Sequence, residues 1–137
     1  MKYPTSQQIV NNLEFLGYKM EDRTNEDGGE GFDMLLGIHK DKSNIFIIVT
    51  EKTIVINSRY SIGKLKKNNT EKLLKTLNDI NKKVVQTKWS YEESKKKESV
   101  LEIETFLPKY DKRDFIKLMN IFERDISLFL SKIVALS

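Results

Sequence analysis

Between residues 32 and 57 three apolar stretches follow one another with breaks of only a few residues. Phe32, Met34, Leu36 and Ile38 alternate with Asp33 and His39, which is the two-residue period of a strand. Ile45-Phe46-Ile47-Ile48-Val49 is an unbroken apolar run of strand length, and Thr53-Ile54-Val55-Ile56-Asn57 is another β-rich segment. Asp41-Lys42-Ser43-Asn44 and Glu51-Lys52 are the connections between them. Connections this short cannot carry a crossover of a dozen residues, so the three strands pair antiparallel in sequence order. Gly37, inside the first of them, reads as a bulge.

Helical spacing flanks this sheet. Ile9, Val10, Leu13 and Leu16 recur on one face, with Asn11, Asn12 and Glu14 opposite. Thr5 or Ser6 is expected to cap the start and Gly17 to provide the left-handed turn at the end. Tyr18-Lys19-Met20 can open a short strand, and residues 21–31, acidic and glycine-rich without an apolar side chain, read as a loop. A second helix follows the lysine-rich residues 64–69, with Asn68 and Glu71 as a capping box and Leu73, Leu74, Leu77 and Ile80 as its stripe. Asn81 is placed to take its left-handed C-cap.

A second hairpin comes next. Val85, Thr87, Trp89 and Tyr91 share one face of its first strand, and Leu101, Ile103, Thr105 and Leu107 share one face of its second. Pro108 ends that strand, Asp111 caps the last helix and Asp114 stands at N3. Phe115, Leu118, Met119, Phe122, Ile126, Phe129 and Ile133 form one core stripe on this helix. Ile116, Ile121, Leu128, Leu130 and Val134 lie off it, a surplus that a helix with one face in water does not need. The order is α-β-β-β-α-β-β-α with one further short strand allowed before the acidic loop: an α+β fold of helices packed on an antiparallel sheet. At 137 residues it is expected to form one domain over 1–137.

Composition removes much chemistry. The chain has no cysteine, which excludes disulfides, thiolate metal sites and cysteine nucleophiles. His39 is the sole histidine, so a triad or a zinc site cannot be assembled around it. Asn25, Asp27 and Gly28 fit three positions of a calcium loop, but its first and last positions would be Arg23 and Met34, where carboxylates are required. Gly28-Gly29-Glu30-Gly31 is followed by a strand rather than by the helix a phosphate cradle needs. Glu102 and Glu104 share a strand face that reads as solvent-facing. No catalytic, cofactor-binding or metal-binding residue is expected, and no cofactor.

The net charge is +4, unevenly spread. Residues 59–97 hold 12 basic and four acidic side chains, whereas residues 19–33 hold two basic and six acidic. Lys64, Lys66, Lys67, Lys82 and Lys83 are the candidate anion-binding residues of the Arg59–Lys97 region, with Tyr60, Trp89 and Tyr91 as aromatics that could stack on bases. Only four of the 24 basic residues are arginine, the better reader of guanine and phosphate. The longest apolar run is five residues, where a membrane span needs about 20, and the first residues carry no signal-peptide pattern, so a cytoplasmic location is the expectation.

The stretch Leu77-Asn78-Asp79-Ile80-Asn81-Lys82-Lys83-Val84 resembles the Leu-Asn-x-x-Asn helix end of the bacterial YbjN-like family. The strand Leu101-Glu102-Ile103-Glu104, followed by Phe115, Leu118, Phe122 and Ile126 on a closing helix, resembles its tail. More widely, the element order is similar to the fold of type III secretion chaperones, which tend to be acidic where this chain is basic. The resemblance implies a non-enzymatic α+β domain, often dimeric, that binds a protein segment or serves a regulatory role, and it prescribes no catalytic residue. The expectation is a homodimer holding a protein segment, with Ile121, Leu128 and Leu130 as the partner surface. Nucleic-acid or anion binding through Arg59–Lys97 and an immunity-type inhibitor are the alternatives.

Overall fold

The computed structural model describes residues 1–27, 31–63, 67–93 and 98–136. Its elements are α1 (Pro4–Phe15), β1 (Lys19–Asp22), α2 (Thr24–Asp27), β2 (Asp33–Ile38), β3 (Ile45–Val49), β4 (Ile54–Ser61), α3 (Lys67–Lys83), β5 (Lys88–Glu92), β6 (Val100–Leu107) and α4 (Lys112–Val134). The fold is α+β, with helices packed against a six-stranded antiparallel sheet of order β1-β2-β3-β4-β6-β5. The short strand allowed by the sequence is β1, and the one-turn α2 follows it. The chain gathers into two compact units, Met1–Ser58 with Phe106–Phe115, and Arg59–Thr105 with Ile116–Ser137.

In the first unit, β2, β3 and β4 pair in sequence order as the short turns require. Leu35 stands opposite Ile47, and Ile47 opposite Ile56, all three fully buried. β2 is buried on both faces at its centre, which extends the single face expected: Leu36 is buried as expected and Leu35 fully so, while Met34 and Ile38 are only half-buried. Gly37 is paired in regular register with Met20 and Ile45, so it marks no bulge. It is needed for closeness: a Cβ there would meet Ile45 Cγ1 at 2.9 Å.

The face of β2 that carries Leu35 also buries Asp33. Its carboxylate accepts the backbone N–H groups of Lys2 (2.7 Å) and Tyr3 (3.0 Å) and the Ser6 hydroxyl (2.6 Å). The cap of α1 is therefore supplied from a strand. Tyr3 occupies the N-cap position without a side-chain capping bond, Pro4 opens the helix, and Ser6, expected as a cap, is a donor to Asp33. Burial alone would raise the Asp33 pKa, but the Ser6, Lys2 and Tyr3 bonds and the nearby amino-terminal charge outweigh it and hold the group below its ordinary value.

The far end of α1 follows its sequence. Gly17 takes φ +95°, its N–H reaches Glu14 O at 3.0 Å, and the Tyr18 N–H reaches Leu13 O at 2.9 Å, a Schellman ending. Tyr18 is buried with its ring edge-on to His39, 4.9 Å between centroids. Asn12, placed on the polar face by the periodicity, is buried and donates to Tyr110 Oη at 3.3 Å. Part of the stretch read as a loop is ordered: Asp22 accepts the Thr24 hydroxyl (2.6 Å) and N–H (3.0 Å) at the start of α2. Those two bonds lead the causes that lower the Asp22 pKa.

In the second unit, β5 and β6 form the expected hairpin, with Trp89 opposite Ile103 and both buried. The first strand begins at Lys88 rather than near Val84, so residues 84–87 are a connection out of α3. Leu73, Leu77 and Ile80 bury the stripe of α3, while Leu74 is about half exposed. α3 begins at Lys67 and includes Asn68, whose expected capping side chain lies outside the described residues. On α4, which begins in the first unit with Asp111 Oδ1 capping the Asp114 N–H at 3.0 Å, the expected core stripe holds. Phe115, Leu118, Met119, Phe122 and Ile133 are buried, and Ile126 and Phe129 are half-buried.

Candidate binding groove

The connection between α3 and β5 is fixed by two side chains. Asn81, in the last turn of α3, donates Nδ2–H to Trp89 O at 2.8 Å and accepts the Trp89 N–H on Oδ1 at 2.9 Å. It takes no left-handed conformation, since among the described residues only glycines have positive φ. Its role is to pair with the outer edge of β5, the last strand of the sheet, whose backbone groups there would otherwise need water. This corrects the capping role expected of Asn81.

The second anchor is Thr87. Its hydroxyl donates to Asp125 Oδ2 at 2.8 Å and accepts the Trp89 indole N–H at 3.2 Å. Asp125 lies on α4 and is only 3% exposed. Arg124 Nη2 stands 3.5 Å from its other oxygen. Trp89 meets Phe129 edge-on, 6.2 Å between centroids. A buried carboxylate needs such partners, and these draw residues 84–87 along the side of α4. An acid inside an amphipathic helix ordinarily faces water, which hid Asp125; the signal was its spacing, three residues after Phe122 and four before Phe129, which sets it at the edge of the core stripe.

Between these two segments lies a groove of about 440 Å³, wholly within the second unit. Val84, Val85 and Gln86 form one wall, and Ile121, Leu128 and Phe129 form the other, with Asp125 beside them. Lys83 and Arg124 also line it. Val85 is 91% exposed and Leu128 56% exposed, so two aliphatic side chains of this groove stand open to water. Lys132 Nζ sits 5.5 Å from the centre of the Phe129 ring.

The groove brings together some of the candidates and not others. Ile121 and Leu128 share it. Leu130, nine residues after Ile121, is turned about 180° around α4 at 100° per residue and is half-buried there. Val134 lies near Leu130 on that flank and is 51% exposed. Lys83 lines the groove, and Lys82 beside it is exposed. Lys64 and Lys66 lie outside the described residues, and Lys67 opens α3. Trp89 is buried and so offers no face for base stacking, and Arg59 pairs with Glu102 at 3.0 Å.

Elsewhere the chemistry is structural. His39 lies against Tyr18, and its Nδ1 accepts the Asp41 N–H at 2.9 Å in the β2–β3 turn. Among the described residues no group of three or more His, Asp or Glu side chains gathers as a metal site. No described helix is long and apolar enough to cross a membrane.

No protein-family model matches the chain, and no curated protein matches it. Solved structures similar to it include two proteins. One is YbjN, a candidate transcription regulator from E. coli, with TM-score 0.64 and 15% identity over 96% of this chain and 89% of that one. The other is an uncharacterized protein from Methanothermobacter thermautotrophicus, with TM-score 0.66 and 14% identity over 94% of this chain and 96% of that one. Their likeness runs through nearly all of each chain, and what it establishes is the architecture: the fold of this protein is YbjN-like.

Proposed function

We propose that the chain is a non-enzymatic protein-binding module that seats an apolar protein segment in the α4 groove and works as a homodimer. The observation that carries this reading is the pair of open aliphatic side chains, Val85 and Leu128, lining one groove. An aliphatic surface held open beside a fixed polar anchor is what a partner's apolar side chains can cover. The groove's chemistry favours binding over catalysis. Its carboxylate, Asp125, is engaged by Thr87 and Arg124, and no described nucleophile–base pair lines it. Self-association draws on the other flank of α4, where Leu130 and Val134 supply the apolar surplus. A partner-binding role also accords with the regulatory role suggested for the E. coli protein of this fold.

Trp89 gives the test a reporter, since its indole touches both Phe129 and Thr87 at the groove. An uncharged amphipathic peptide of about 15 residues, built from Leu and Gln, should change Trp89 emission saturably in the native chain. Leu128→Asp, at an exposed position, should remove that response while far-ultraviolet circular dichroism stays unchanged. An unsaturable or absent response in the native chain defeats the groove reading.

A further inference from the structure

We infer that the segment taken by this groove is acidic as well as apolar: an amphipathic helix with Asp or Glu flanking its apolar stripe. The inference rests on the proposed protein-binding role and names the chemistry of the partner. At 100° per residue, Lys117, Ile121, Arg124, Leu128 and Lys132 fall within one arc of about 80° on α4. Apolar and basic side chains thus interleave at spacings of three and four along a single face, the three cations all exposed. Lys83 adds a fourth cation from the opposite wall. The acid beside the groove, Asp125, is 3% exposed, is bonded inward to Thr87 and meets Arg124 at 3.5 Å, so it offsets part of one cation and leaves Lys117, Lys132 and Lys83 unopposed by it. Glu123 lies outside the arc; Asp114 falls on it but sits in the first turn of α4, ten residues or about 15 Å before Arg124, away from the groove lining.

A helix laid along this face would place its apolar anchors on Ile121, Leu128 and Val85 and its carboxylates beside Arg124, Lys132 and Lys83. The same cations would attract a nucleic acid, but the walls do not suit one. The open side chains are aliphatic, Trp89 is buried, and Lys132 already lies over the Phe129 ring. Bases bind by stacking on exposed rings and by hydrogen bonds to their edges, which this lining offers poorly. The complementarity is to carboxylates presented on an apolar helix.

Three fluorescein-labelled peptides of about 15 residues test this, with identical Leu positions and Glu, Gln or Lys at the flanking ones. Binding to the full chain is measured by anisotropy in low salt, beside a labelled oligothymidylate. The Glu peptide should bind about tenfold tighter than the Gln peptide and the Lys peptide most weakly, with the gap closing as salt rises. The charge-reversed double variant Arg124→Glu/Lys132→Glu should invert the order, and Leu128→Asp should weaken all three. Equal affinity for the Glu and Gln peptides would overturn the acidic partner while leaving the groove reading intact. Binding of none would remove both. Oligothymidylate binding that displaces the Glu peptide and survives Leu128→Asp would overturn the inference in favour of a nucleic-acid surface.

Discussion

Asp33 joins two elements distant in sequence, because donors at the entry to α1 converge on a carboxylate held in β2. A neutral side chain there would leave the Lys2 and Tyr3 amides with weaker acceptors beside a helix N-terminus that favours negative charge. Asp33→Asn should therefore cost about 1–3 kcal/mol at pH 7, as urea denaturation would measure it. The pH dependence follows from the direction of the shift. The folded pKa lies below the ordinary 3.8, so the charge contributes its full stability above that value and loses it as pH falls through the folded one. The gap between native chain and Asp33→Asn should narrow as denaturation is repeated from pH 5 toward pH 2. A gap of constant size over that range would place the cost in packing rather than in charge. Gly17 is a residue of the opposite kind, read correctly from sequence because its reason is local: a φ of +95°, with His39 Nε2 3.1 Å from where a Cβ would stand.

At the scale of elements, α3 and β5 are joined by one amide. Asn81 satisfies both backbone groups of Trp89 on the outer edge of the sheet. Asn81→Ala removes both bonds and should cost about 1–3 kcal/mol. Hydrogen exchange localises the effect: the Trp89 amide should lose protection, while amides of β2 and β3 in the first unit keep theirs relative to global stability. Unchanged Trp89 exchange would mean that β5 holds its edge without the side chain. This residue also shows where sequence reading stops. The helices and strands were legible wherever a stripe repeated, as in β6 and α4, because burial on one face imposes its own period. Asn81, Thr87 and Asp125 were not, because each is explained by a partner brought near only by folding. The four-residue α2 is too short to show a period at all. Of the groove, the Ile121 and Leu128 wall was visible as surplus on α4, while the Val84–Gln86 wall was hidden inside a segment expected to be strand.

For the whole molecule, self-association has a thermodynamic consequence that does not depend on knowing the partner segment. Two chains that unfold from a dimer do so with a concentration-dependent equilibrium, whereas a monomer's melting temperature is independent of concentration. Well above the dissociation constant, each tenfold rise in protein concentration adds about 1.4 kcal/mol per dimer, half of it to each chain. For a chain of this length that is a rise of roughly 2–4 °C in melting temperature. Leu130 is half-buried and Val134 about half exposed, so a charge at Val134 disturbs the outer flank of α4 while leaving the buried stripe of Phe115, Phe122 and Ile133 intact. Val134→Asp should flatten the concentration dependence, with light scattering at about 100 μM falling from the mass of a dimer to that of a monomer. Leu128→Asp, on the groove side, should leave both measurements unchanged, because the two flanks of α4 serve different partners in this reading. A native chain whose melting temperature does not move with concentration, and whose scattering mass is monomeric, would remove the dimer and leave the groove to stand by itself.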